Sequence, residues 1–218
     1  MVCLPGAGGS ANSFGAFADA LAPAVEVLAI QYPVRWDSVR ESALENLAER
    51  ADCVVEELRT VLDRPVVLFG QGMGAVLAFE MARRLETTYG IDPVALFAVG
   101  SRAPSRLRNE GMRLMDDAAA LADHRAVERY ECGGQVAVRA PIVALGGDAD
   151  ARDAPTDVLA WRAHTTGRFQ VTILPGGPMV VEEHFAEVAD RVTDFLFPLL
   201  GGEVIDFRRR LGSPGPDA

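Results

Sequence analysis

Residues 66–83 constrain the fold of this chain more than any other stretch. The apolar run Val66–Phe69 is typical of a short buried strand. Gly70, Gly72 and Gly74 follow at alternate positions, and apolar residues at helical spacing then continue to residue 82. A strand, a tight glycine turn and a helix form the frame of a nucleophile elbow, Gly-x-Ser-x-Gly. The central position, where that frame carries serine, is Gly72 in this chain.

Strands and helices are predicted to alternate along the rest of the chain. The predicted strands span 2–4, 25–32, 66–69, 94–99, 142–145 and 171–174, and the longer predicted helices span 38–62, 155–166 and 182–199. Ser38, with Glu41 three residues later, is the predicted N-cap of the first of these helices. This alternation predicts an α/β fold with a parallel, doubly wound sheet of about six strands.

Ligand sites in such sheets lie at the carboxyl ends of the strands. The loops 5–10, 70–74, 100–104, 147–151 and 175–179 all follow predicted strands, so they are expected to converge on one face. The sequence contains no internal repeat and no recognisable linker, which predicts one domain over residues 1–212. Residues 213–218 are rich in Pro and Gly and are predicted to be a disordered tail.

Charge and composition exclude several classes of function. The net charge is −10 and all 21 basic residues are arginine, which argues against a nucleic-acid binder with a basic face. Three scattered cysteines (Cys3, Cys53 and Cys132) show no metal-ligand or disulfide spacing, so neither a disulfide framework nor a zinc site is expected, and no cofactor is predicted. There is no signal-peptide pattern and no apolar run of about 20 residues that could span a membrane, which predicts a cytoplasmic protein.

The loop motifs together resemble those of the type II thioesterases, stand-alone α/β-hydrolases of polyketide and nonribosomal peptide synthesis. The matching stretches, in family order, are CLPGAGGSANSF, VLAIQYP, VLFGQGMGAVLAFEMARRL, GSRAP, PIVALGGDAD, AWRAHTTG and ILPGG. The resemblance implies the α/β-hydrolase fold and a Ser-His-Asp relay. It also implies hydrolysis of acyl groups from the phosphopantetheine thiol of acyl carrier proteins, which would be the partners.

The resemblance assigns the catalytic positions one by one. Asp150 matches the triad acid, with Asp148 as the alternative, and the backbone N–H groups of Ala7 and Met73 match the oxyanion donors. The nucleophile position is Gly72 and the histidine position is Pro178, so two of the three catalytic side chains are absent.

Three histidines and several hydroxyl or thiol groups are the other candidates for the roles of the absent pair. His184 lies six positions after Pro178 and is expected to be an ordinary surface histidine at the start of the final helix. His164 is expected at the surface or as a helix cap, and His124 lies in a separate segment. The hydroxyls near the predicted face, none of them at an elbow, belong to Ser10, Ser13 and Ser101, and Cys3 is expected to be an inert core residue.

Two further departures from the family pattern are expected to matter. Family members carry about twenty residues ahead of the first strand seen here and a longer helical lid, so the fold is expected to be N-terminally shortened, with a reduced lid over 105–140. The strand 25–32 would then be an exposed edge through which the protein self-associates. Four arginines around the lid form either a docking patch for acidic carrier proteins or a solvated helix face: Arg102, Arg106, Arg108 and Arg113.

Three interpretations of function follow from these residues. The chain is a thioesterase-family protein with impaired or no hydrolysis that still binds carriers or acyl groups, or it is a non-hydrolytic enzyme of the same fold with altered chemistry. The third interpretation is a decayed or misannotated thioesterase reading frame. Whether the protein is an enzyme is therefore left open by the sequence.

Overall fold

The structure is a computed structural model and describes residues 1–32, 46–60, 62–108, 118–133, 136–150 and 154–199. Three predictions lie outside these residues: the Ser38 and Glu41 cap, the position of Arg113, and the tail 213–218.

Strands and helices alternate in the described residues, as the sequence predicts. The strands are β1 (Val2–Leu4), β2 (Leu28–Ala29), β3 (Val67–Gln71), β4 (Ala95–Val99), β5 (Ile142–Gly147) and β6 (Phe169–Leu174). The helices are α1 (Gly15–Leu21), α2 (Leu47–Leu58), α3 (Met73–Thr88), α4 (Ala118–Glu128), α5 (Pro155–Leu159), α6 (Val180–Glu183) and α7 (Phe185–Leu196). Short 3-10 turns cover Ala11–Phe14, Pro104–Arg106, Ala160–His164 and Phe197–Leu199.

The six strands form one sheet in the order β2-β1-β3-β4-β5-β6. Each neighbouring pair is parallel, with Cys3 beside Phe69 and Phe69 beside Phe97 in the central strands. The predicted parallel sheet of about six strands is therefore confirmed. Because every described strand runs the same way, the loops after the strands lie at the same edge of the sheet.

Two apolar layers cover the two faces of the sheet, as expected for a doubly wound fold. One layer packs α2 and the elbow helix α3 against alternate strand residues such as Leu4, Leu68 and Leu96. The other packs α1 and α7 against Cys3, Phe69 and their neighbours. The alternation of Leu68 and Phe69 between the layers follows from the two-residue period of a strand.

Three element predictions differ from the structure. The strand expected over 25–32 is regular only at Leu28–Ala29. Within the described part of the helix expected over 38–62, α2 begins after Asn46, which has extended φ and ψ of −126° and 114° and caps the helix through hydrogen bonds from Ala48 N and Glu49 N. The final helix divides at His184, whose φ and ψ of −128° and 39° separate α6 from α7.

None of the described helices is long and apolar enough to cross a membrane.

Candidate functional site

The elbow turn between β3 and α3 is centred on Gly72, as predicted. Gly72 has φ 53° and ψ −121°, a conformation in the positive-φ region that L side chains rarely adopt. Its N–H donates to the carbonyl of Val99 over 2.9 Å, which anchors the turn to the end of β4. A Cβ built on Gly72 would lie 3.8 Å from Gly6 Cα and 3.9 Å from Gly100 O, so there is room for a small side chain here.

The two glycines that flank the turn are required by close packing. A Cβ on Gly70 would lie 2.2 Å from the Gly74 carbonyl oxygen, and a Cβ on Gly74 would lie 2.2 Å from the Leu4 carbonyl oxygen. Neither contact is tolerable, because both neighbours are backbone atoms. Gly70 and Gly74 are therefore required because the backbones of β3, α3 and the end of β1 approach one another too closely for a side chain.

A cavity of about 430 Å³ opens above the elbow and brings four of the five predicted loops together. Its walls include residues 5–9, residues 71–73, residues 100–102, and Pro178 with Met179. The nucleophile position Gly72, the histidine position Pro178 and the two oxyanion positions Ala7 and Met73 all line this cavity. Asp150 and His184 are not among its lining residues.

The acid loop packs against the turn that contains the histidine position. Asp148 N donates to Leu174 O, Ala149 N donates to Gly176 O, and Gly176 N donates back to Asp148 Oδ1 over 2.9 Å. Asp148 is exposed and holds the turn, whereas Asp150 is buried with 6% of its surface exposed. The carboxyl group matched to the triad acid is thus buried and does not line the cavity.

Neither of two histidines weighed as substitutes faces the elbow. His184 lies between α6 and α7, where its Nε2 is hydrogen-bonded to the carbonyl of Pro175. His164 is 2% exposed and packs edge-on against Phe79 and Trp161, so the prediction of a surface or capping residue is wrong. The ring is buried between Phe79 of α3 and Trp161 of the 160–164 turn, and both of its nitrogens are hydrogen-bonded.

Hydrogen bonds define the tautomer of His164. Its Nδ1 lies 3.0 Å from the carbonyl of Val136, which can only accept, so Nδ1 carries the proton. Nε2 then accepts from the Ser105 hydroxyl at 2.8 Å and from Ser105 N–H at 3.3 Å. Burial lowers the pKa of His164, opposed in part by the bond to Val136, and keeps the ring neutral.

Several polar residues in the cavity wall were missed by the sequence reasoning. Gln71 Nε2 donates to both carboxylate oxygens of Glu182, at 2.9 and 3.0 Å, and both side chains line the cavity. His124 and Arg125 reach the cavity from α4, and Ser13 and Ser101, which were predicted to lie near this face, also line it. Only the position of Gln71 beside the elbow carried a local signal, because α4 and α6 reach the site through tertiary packing.

The region 105–140, matched to the family's lid, contains α4, which lies over the loop that follows β1. A Cβ on Gly8 would lie 2.9 Å from the Ala120 side chain. Gly8 N donates to Asp123 Oδ2 over 3.0 Å, while Asp123 Oδ1 accepts from Arg50 over 2.9 Å. The lid helix is therefore joined to the loop that contains the oxyanion position Ala7.

The predicted arginine patch is only partly at the cavity. Arg102, which is buried, and Arg108, which is exposed and paired with Asp157, line it together with Arg125, while Arg106 is exposed elsewhere. Cys3 is fully buried in the sheet, and burial raises its pKa to about 12, which confirms an inert thiol. Within the part of the chain that the structure describes, no group of histidines, cysteines and carboxylates could hold a metal ion.

A parallel sheet with a sharp glycine elbow at the carboxyl end of a central strand defines an α/β-hydrolase fold. Comparison with known proteins identifies the family within this fold class. The family model of the thioesterase domain matches residues 1–129. The thioesterase PikA5 of Streptomyces venezuelae is 33% identical over 92% of this chain and 82% of its own length.

Solved structures agree with this assignment. The type II thioesterase BorB, from the borrelidin biosynthetic cluster, superposes with a TM-score of 0.81 at 39% identity and 89% coverage of both chains. RedJ, from the prodiginine pathway of Streptomyces coelicolor, superposes with a TM-score of 0.79 at 29% identity, covering 89% of this chain and 84% of its own. This chain belongs to the thioesterase family, and its relatives are type II thioesterases of polyketide and nonribosomal peptide pathways.

Proposed function

We propose that this protein binds acyl thioesters on the phosphopantetheine arm of acyl carrier proteins and does not hydrolyse them through an acyl-enzyme. One observation carries the proposal. The elbow and the cavity of a thioesterase are retained, with a glycine at φ 53° where the nucleophile would be and a proline at the histidine position of the same wall. The site keeps the shape for a ligand and lacks the groups for covalent turnover.

The missing groups matter far more than the retained acid. In an unrelated serine protease, losing the serine or the histidine alone lowers turnover by roughly 10⁶-fold, because the triad acts as a unit. Asp150 has no relay partner at Pro178 and cannot offset such a loss. Hydrolysis by the usual route should therefore be at background.

The cavity wall supports an acyl ligand with a polar arm. Apolar side chains from α3 and the lid side offer a surface for a short acyl chain: Met73, Val76, Leu107, Leu121 and Val127. We assign the backbone N–H groups of Ala7 and Met73 to the thioester carbonyl oxygen, in the manner of an oxyanion hole. Gly72 leaves open space where a serine side chain would otherwise stand.

The rim of the cavity supports an acidic partner. Arg108, which is exposed and paired with Asp157, and Arg125, which is half-buried, are cations in the cavity wall of a protein whose net charge is −10. Acyl carrier proteins are acidic, so such a local patch would attract them despite the overall repulsion. Binding should weaken as salt rises, because exposed charges are screened within a Debye length of about 8–10 Å at physiological ionic strength.

Calorimetry with a stable analogue tests this proposal directly. In 2-oxopentyl-pantetheine a CH₂ group separates the sulfur from the carbonyl, so the ligand cannot be hydrolysed yet keeps its carbonyl oxygen. We expect saturable binding of this ketone, and tighter binding when it is carried on an acyl carrier protein. Leu121→Trp, which fills the cavity, should abolish binding, whereas Leu159→Trp at an exposed position outside the cavity should not. Failure of the wild-type protein to bind either probe would refute the proposal.

A second candidate function rests on two polar residues of the cavity wall. Glu182 and His124 both line the cavity, so a carboxylate and an imidazole are available for acid-base chemistry other than acyl transfer. A modified acyl group, detected by mass spectrometry after incubation with a loaded carrier, would favour this function over binding alone. A chain that neither binds nor converts the carrier would match the third interpretation, a decayed thioesterase.

We also propose self-association through β2, the outer strand of the sheet in the described residues. The side chains of Val25, Val27, Leu28 and Ile30 are half-buried against the two core layers, so the free edge would contribute backbone groups more than apolar surface.

A further inference from the structure

We infer that Asp123 and Arg50 form a latch that positions the lid helix α4 and the loop of residues 5–9 around the bound acyl ligand. The inference rests on the proposed function for its ligand, because the latch touches the loop and the helix that frame the cavity. Neither residue lines the cavity, so both are positioning residues.

Asp123 joins the lid to the loop through one carboxylate. Its Oδ2 accepts the N–H of Gly8 over 3.0 Å, and its Oδ1 accepts from Arg50 Nη1 over 2.9 Å. The residue lies on α4 between Leu121 and His124, both of which face the cavity. A movement of Asp123 would therefore shift the lid wall and the loop around Ala7 together.

Arg50 joins the same carboxylate to the other side of the elbow. It lies on α2, is 4% exposed, and its Nη1 also lies 3.4 Å from the sulfur of Met73 at the start of α3. Its guanidinium sits 5.2 Å from the centroid of the Tyr32 ring, a cation–π distance. The Tyr32 hydroxyl in turn donates to the carbonyl of Pro5 over 3.1 Å.

The contacts of Asp123, Arg50 and Tyr32 therefore reach both proposed oxyanion positions. Asp123 holds the residue after Ala7, Arg50 contacts the side chain of Met73, and Tyr32 holds the start of the same loop. Removing one partner of a buried ion pair strongly destabilises a protein, because the remaining charge stays buried without compensation. The Gly8 hydrogen bond extends this buried network into the loop beside the ligand.

The first test measures the Gly8 amide and the ligand affinity in Asp123→Asn. Asparagine keeps one acceptor oxygen, which the Arg50 cation attracts, so its NH2 group faces the Gly8 N–H and the bond to Gly8 is lost. We expect faster hydrogen exchange at the Gly8 amide and about tenfold weaker binding of 2-oxopentyl-pantetheine. A tenfold loss of affinity corresponds to the lower limit of the free energy contributed by a hydrogen bond to a charged group. Asp92→Asn removes the exposed partner of Arg139 and should change neither quantity.

A second variant separates positioning from folding. Arg50→Met with Asp123→Leu replaces the buried pair by apolar groups, a change that is often neutral or stabilising. We expect a folded protein in which Gly8 has lost its acceptor, with fast exchange at Gly8 and weakened ligand binding. A retained affinity in this double variant, or an unchanged Gly8 exchange rate, would overturn the latch. If the wild-type protein does not bind the ketone, the proposed function fails, and unchanged exchange in the variants would refute the latch separately.

Discussion

Replacing Gly72 by alanine or serine should destabilise the protein by about 1–3 kcal/mol, the cost of a non-glycine residue in a sparsely populated backbone region. The reason is the backbone alone. At φ 53° and ψ −121° a Cβ is strained, but its nearest heavy atoms outside the turn lie 3.8 and 3.9 Å away, which is ordinary contact. Alanine and serine should therefore cost nearly the same.

Urea denaturation followed by circular dichroism measures this cost. For a chain of this size each kcal/mol corresponds to about 2–4 °C in melting temperature, which gives an independent readout. Gly15→Ala is the matched control, because Gly15 has helical φ and ψ of −56° and −46° and open space around its Cβ position. It should be neutral or stabilising by roughly 0.5–1 kcal/mol.

Gly74→Ala is the comparison in which a steric clash, and not backbone strain alone, should lower the stability. Its Cβ would meet the Leu4 carbonyl oxygen at 2.2 Å, so we expect a much larger loss than at Gly72. Neutral or stabilising behaviour of Gly72→Ala would refute the strain argument. A serine variant more stable than the alanine variant by over about 1 kcal/mol, the worth of a typical net hydrogen bond, would show that the hydroxyl finds a partner in the cavity.

Three further predictions concern chemistry, pH and assembly. The wild-type protein should show no thioester hydrolysis and no fluorophosphonate labelling. The double variant Gly72→Ser with Pro178→His should reach a rate well below about 1 s⁻¹, because neighbouring residues must hold catalytic side chains within about 0.5 Å of the productive geometry. Robust turnover in hydrolysis assays would contradict this. Burial lowers the pKa of His164, so the unfolded chain binds the proton more tightly and stability should fall as pH drops below about 6.5. Urea denaturation between pH 7.5 and 5.5 should show this loss in the wild type and in the control His124→Gln, and less of it in His164→Gln. Light scattering at tens of micromolar should detect self-association that Leu28→Lys weakens, and a monodisperse monomer would count against the edge strand.

Much of the fold could be predicted because its signals are local. Apolar runs of strand length, helical spacing after the elbow and glycines at 70, 72 and 74 are properties of neighbouring residues. The boundaries were less predictable where tertiary contacts decide them. Asn46 caps the start of α2 with its side chain, and His184 divides the final helix where its ring bonds to the Pro175 carbonyl.

The candidate site likewise has residues whose placement the sequence predicts and residues whose placement it does not. The alternation of strands and helices placed Gly72, Pro178, Ala7 and Met73 at one edge of the sheet, and the structure brings them to one cavity. The burial of His164 among aromatic rings could not be predicted, because its partners Phe79 and Ser105 lie 85 and 59 residues away along the chain.

The sequence by itself determined the frame of the site and the absence of a serine and a histidine at the two matched positions, since both are matters of residue identity and short spacing. Only the tertiary structure decided what surrounds that frame. It placed Glu182, His124 and the Arg50–Asp123 pair around the elbow and left Asp150 outside the cavity wall. The physical reason is that side-chain contacts between α2, α4, α6 and the elbow depend on how whole elements pack, which no local pattern records.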